Sequence, residues 1–118
     1  MNIFIVNTKN MLFNCSVQPS GSPIEVKLIS GNTMGECVAY LEGTGDTIIG
    51  VNTQNLILIP NNISSQDSYS VTLKDNVTST QVAYIIYDTY ANVSSWIEAQ
   101  TGKTVQTVSY QKREFVQI

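Results

Sequence analysis

The chain has 118 residues, with six Lys and Arg against nine Asp and Glu for a net charge of −3 at pH 7. That length suits a single domain, read here as one β domain over 1–118, and 42% hydrophobic residues are enough to build a core. Charged residues make up only 13% of the chain, about half the soluble average, and Ser, Thr, Asn and Gln fill 43 of the 118 positions instead. A pI near 4.6 and one adjacent basic pair, Lys112 and Arg113, give no positive face for phosphates, so no nucleic-acid partner is expected. The longest uncharged apolar stretches, 56–59 and 82–87, fall far short of the ~20 residues that a membrane-crossing helix needs. The opening Met-Asn-Ile-Phe-Ile-Val lacks the basic start of a secretory signal.

In chain order, strand-sized runs alternate with turn chemistry. Residues 3–6 precede Asn-Thr-Lys-Asn, and residues 12–17 precede Gln-Pro-Ser-Gly-Ser-Pro. Residues 24–29 alternate, with Ile24, Val26 and Leu28 on one face and Glu25 and Lys27 on the other. Residues 36–41 read as a strand that turns through Gly43-Thr44-Gly45-Asp46. Two further strands follow at 47–51 and 56–59. Tyr69, Val71 and Leu73 alternate with Ser70 and Thr72, and 81–87 is apolar on both parities, as in a central strand covered on both faces. Residues 95–101 carry two readings. One is a short helical turn, with Ser95–Glu98 as a capping box and Gly102 as its stop; the other is a hairpin of 96–99 against 104–110.

Strands of five to eight residues at such spacing imply an all-β fold of about eight strands, an antiparallel β-sandwich or a jelly-roll or immunoglobulin-like barrel. The spacing leaves no room for helical crossovers. Val-Asn-Thr recurs at 6–8 and 51–53, but three common residues do not make a repeat.

The chain contains no His, so Ser–His and Cys–His dyads are impossible and the commonest metal ligand is missing. Cys15 and Cys37 lie on apolar strand parities and read as buried free thiols, with a single bridge between them as the alternative. Glu36, Glu42 and Asp46 crowd one loop, but a small β domain has little room for a carboxylate-paired cleft, and no calcium-loop run appears. The expectation is a protein without catalysis, metal or cofactor. Four glycosylation-type sequons, at Asn14, Asn62, Asn76 and Asn92, follow from the abundance of Asn, Ser and Thr.

Two surfaces stand out. Phe115, Val116 and Ile118 end the chain on large apolar side chains, which would fray unless paired with their own sheet or with a neighbouring copy, and they are the candidate intersubunit contact. Tyr87, Tyr90 and Trp96 are the candidate aromatic contact face. The leading functional expectation is a structural subunit of a virus particle, a phage in particular. It would be capsid-associated or decorating, assembled in the host cytoplasm, and in contact with copies of itself and other particle proteins. Uncharged polar surfaces suit such symmetric packing, since burying hydroxyls and amides against partners costs less than burying charges. The alternative is an extracellular carbohydrate-binding or adhesin-type module, with glycan as the partner.

Overall fold

The computed structural model describes residues 11–118, so the strand expected at 3–6 lies outside the described residues. Among the described residues strands account for 52% and helix for 21%, arranged as two mixed four-stranded sheets and two helices. The protein is therefore mostly β, as its composition implies. Two features differ from the expectation: each sheet has one parallel pair, and each holds a helical crossover.

The chain divides into two compact units, one formed by 11–55 together with Arg113–Ile118 and the other by Leu56–Lys112. In the first, β1 (Met11–Gln18) and β2 (Glu25–Gly31) form a hairpin, α1 (Met34–Thr44) follows, and β3 (Thr47–Gln54) returns antiparallel to β1. The fourth strand is β8 (Glu114–Gln117), parallel to β2, giving the order β3-β1-β2-β8. The second unit opens with β4 (Ile57–Ile59) and a 3₁₀ turn at Ile63–Ser65. The hairpin β5 (Asp67–Asp75) and β6 (Gln81–Tyr87), the helix α2 (Tyr90–Glu98) and the strand β7 (Lys103–Lys112) come next. Here β4 lies parallel to β6 and the order is β4-β6-β5-β7.

These are two copies of one plan. Met11, Glu25, Met34 and Thr47 begin β1, β2, α1 and β3, and Asp67, Gln81, Tyr90 and Lys103 begin β5, β6, α2 and β7, each 56 residues later. The bulge recurs at the same point of the inner strand. The pairing of β1 with β3 slips between Ser16 and Val17, and that of β5 with β7 slips between Thr72 and Leu73, again 56 residues on. Each slip leaves one residue of the outer strand unpaired, Ile49 in β3 and Gln106 in β7.

The cores match position by position. In the first unit Phe13, Cys15, Val17 and Ile29 meet Cys37 and Leu41 of α1; in the second Val71, Leu73 and Ile86 meet Val93 of α2, with Tyr69 and Ile97 partly buried beside them. Cys15 and Cys37 thus occupy the places of Val71 and Val93. The two thiols are fully buried and unbridged, with their Sγ atoms 3.5 Å apart. Burial, reinforced by the hydrogen bond with Cys37, pushes the Cys15 thiol up to about 12. Burial also raises Cys37, so both stay protonated at neutral pH and act as small apolar side chains.

Residues 36–41, expected as a strand, are helical because capping outweighs local β propensity. Thr33 is extended, its side chain accepts from Glu36 N, and Glu36 Oε1 accepts from Asn32 N. At the other end Gly45, at φ 82°, takes the left-handed position that closes the helix. The Gly43-Thr44-Gly45 segment is therefore a helix end and not a hairpin turn. The helical reading of 95–101 also shifts: α2 starts at Tyr90, capped by Thr89, whose side chain accepts from Asn92 N. Ser95 is inside that helix, and no hairpin forms there.

Three predictions follow from the repeat and its buried thiols. Thr33→Ala and Thr89→Ala each remove one cap and are expected to cost about 1 kcal/mol in urea unfolding. The double variant Cys15→Val with Cys37→Val copies the second unit's core into the first and is expected to fold within about 1.5 kcal/mol of the parent. Cys37→Ser, which buries a hydroxyl, is expected to lose about 1–3 kcal/mol in the same assay.

Candidate functional site

Among the described residues no group of three or more His, Cys, Asp and Glu is placed to hold a metal ion. The acidic residues grouped by sequence are separated by α1, with Glu36 in its first turn and Glu42 in its last. Asp46 lies beyond the Gly45 cap.

The candidate contact residues at the chain's end are used inside the first unit. Phe115 pairs with Leu28 and Val116 with Ile29, and Val116 packs against the α1 core. Ile118 N donates to Ser30 O at 2.9 Å. The Ile118 side chain covers Gly31, where a Cβ would come within 3.1 Å of it. Glu114 forms an ion pair with Lys27 across the same strands. Just before β8, Arg113 is buried and donates from Nη1 to Asn14 Oδ1 at 3.2 Å.

The three aromatic candidates do not share a face. Tyr87 is fully buried. Trp96 packs against the second unit's core, edge-on to Tyr84 with ring centroids 4.9 Å apart. Tyr90 alone is open, at 66% exposure. Its aromatic neighbour is Tyr69, at 6.0 Å, and Tyr69 in turn lies 5.2 Å from Tyr110.

That tyrosine row continues into β7, the most exposed strand among the described residues. All ten residues of β7 are exposed although it pairs with β5 along its length, because it is an edge strand. Val108 and Tyr110 pair with Val71 and Tyr69, and so share the face that carries α2. The first unit's counterparts of Val105 and Val108 are better covered: Ile48 and Val51 of β3 pack against the α1 core. The helices differ in length, eleven residues in α1 and nine in α2. The shorter helix leaves Val105 at 42%, Val108 at 44% and Tyr110 at 53% exposure.

Side chains hold this strand at both ends. Near its start, Lys103 Nζ donates to Asp75 Oδ2 at 3.1 Å, and Thr104 Oγ1 donates to Asn76 Oδ1 at 2.6 Å. Near its end, Tyr110 Oη donates to Asp67 Oδ1 and Ser68 Oγ donates to the Gln111 carbonyl, both at 2.6 Å. The bond to Asp67 lifts the Tyr110 phenol above its ordinary range. Between Lys103 and Lys112 the strand carries no charge, Pro or Gly, the usual guards of an edge, and its single bulge at Gln106 leaves 107–112 regular. The arrangement can present a row of backbone donors and acceptors beside an apolar, aromatic strip. Composition gave one usable signal for it, the β-branched run 104–110 without an internal charge, but its place at a sheet edge is a matter of topology.

No protein-family model, curated protein or solved structure matches the chain.

The clamp at the start of β7 yields a pH prediction. Hydrogen bonds from the backbone of Thr78, then of Val77, and then from Lys103 hold the Asp75 carboxyl at about 2, below its ordinary 3.8. A depressed carboxyl stabilises the fold above its unfolded value and loses that contribution as pH falls through the folded one. Carboxyl NMR is expected to give an Asp75 midpoint near 2. In acid unfolding, Asp75→Asn is expected to remove the part of the stability loss between about pH 4 and pH 2.

Proposed function

We propose that the chain is a non-enzymatic structural subunit that works through symmetric protein–protein contacts. Its class is that of the capsid-associated or decorating proteins of a virus particle, a phage in particular. The observation that carries the reading is β7, an edge strand exposed at every position and flanked by Val105, Val108, Tyr110, Tyr69 and Tyr90. An edge without internal charges favours pairing with another strand, and the tyrosines supply large, stiff contact area with a polar tip. The low charge of the whole chain supports packing in a lattice, where each uncharged contact is weak and repetition makes the sum strong. Its partners in this reading are copies of itself and other proteins of the particle, and its location is the virion after assembly in the host cytoplasm.

The glycan-binding alternative has less behind it. A sugar ring stacks on a flat aromatic surface, but Tyr69 is tilted 52° to Tyr90 and 55° to Tyr110, and Tyr87 is buried.

Light scattering after size exclusion, over a wide concentration range, tests the proposal. The untagged protein is expected to leave its 13.0 kDa monomer mass as concentration rises. Tyr110→Ala is expected to weaken association by about 2 kcal/mol, roughly thirtyfold, and Val108→Lys to weaken it further. Association unaffected by either change, or a monomer at every concentration, overturns the contact.

A further inference from the structure

We infer that β8 is an exchangeable strand, so that Glu114–Gln117 of one chain docks on β2 of a second copy as it does on its own. This deepens the self-assembly reading, on residues separate from the β7 strip.

A hairpin, a helix and a third strand leave the outer edge of the second strand open in each copy of the plan. In the first unit that edge belongs to β2 and in the second to β6. Neither is closed by the strand that follows within its own repeat. β4 comes directly after β3 in sequence but pairs with β6, and β8 comes directly after β7 but pairs with β2. The β2 edge is therefore built to receive a strand from a distant part of the sequence, 87 residues away at the Lys27–Glu114 pair.

The recognition is specific. Parallel pairing sets Lys27 against Glu114, Leu28 against Phe115, Ile29 against Val116 and Ser30 against Gln117. Opposite charges meet at one end, Val116 enters the α1 core, and Gly31 leaves room for Ile118 at the other end. Every one of these contacts is identical when the strand comes from a second chain. Exchange therefore keeps the strand's own contacts and costs the torsions of the connection, the Arg113–Asn14 bond where those torsions break it, and the advantage of being tethered.

The connection is minimal. Arg113 alone separates β7 from β8, so its backbone decides which β2 the strand reaches. The strand is short, with four residues and two half-buried apolar side chains, and so belongs to the low-cost end of local opening. Tethering on so short a link corresponds to an effective concentration of about 1 mM, and exchange competes once the protein is packed that densely. Two copies that exchange reciprocally close into a dimer. Copies that pass the strand onward form a ring or a filament.

The test mixes two sets of full-length chains, one with Lys27→Cys and the other with Glu114→Cys, the second labelled with nitrogen-15. Both also carry Val108→Lys, so that failure of the β7 contact and failure of strand exchange are read separately. Cys15 and Cys37 are fully buried and stay out of the reaction. After incubation at about 1 mM, a short bis-maleimide is added and mixed-label cross-linked pairs are counted by mass spectrometry. Their yield is expected to be about tenfold above that of a collision control pairing Val77→Cys with Glu114→Cys chains. The variant with both cysteines in one chain calibrates the linker. A mixed yield no higher than the control overturns the inference.

Discussion

The open edge of β2 is the constraint on which the rest of the first unit depends. A strand that pairs on one side only leaves its other row of N–H and C=O groups to water or to a partner. Here β8 supplies the partner, and with it come the Lys27–Glu114 pair, the Val116 side chain in the α1 core and the cover over Gly31. The second unit meets the same need with β4 on β6. Each sheet thus has its parallel pair where one repeat receives a strand from the other, which is why neither sheet is antiparallel throughout.

The repeat also isolates what is particular to each unit. Both anchor a helix on the sheet with one fully buried residue at the same turn, Cys37 in α1 and Val93 in α2. Both cap it with a threonine. The difference lies in the reach of the helix, since α1 covers Ile48 and Val51 and α2 leaves Val105 and Val108 open. On a common scaffold, then, the outer strand of the second unit keeps an exposed apolar strip on β7.

Much of the fold was legible in the sequence. The alternation of Tyr69, Val71 and Leu73 marks β5, and the apolar run 81–87 coincides with β6 as an interior strand. The helices were harder. Glu36–Leu41 alternates well enough for a strand, and the deciding signal was the Thr33-Met-Gly-Glu36 capping box upstream with Gly45 beyond. The duplication was hidden because it survives in burial and register and hardly in residue identity: Cys15 and Val71 fill the same space with different atoms. The site divided in the same way. Tyr90 is exposed as its residue type allows, but Tyr87 is buried because β6 lies inside the sheet, a fact of strand order that no local pattern contains. Phe115 and Val116 carried the signal of an apolar strand, while its destination on β2 rested on long-range topology.

The order in which the strands become available has a kinetic meaning. The second unit is one continuous stretch, Leu56–Lys112, and all its pairings close within that stretch. The first unit cannot be finished until Glu114–Gln117 exist, long after Lys27 has been made. Until then β1, β2, α1 and β3 can form only a three-stranded sheet whose β2 edge lacks its partner. Long-range pairing of this kind slows folding, because loop closure is paid before any contact rewards it. The same delay leaves nascent and newly released copies with matching edges and strands in one place, so crowding during translation bears on how the first unit is closed.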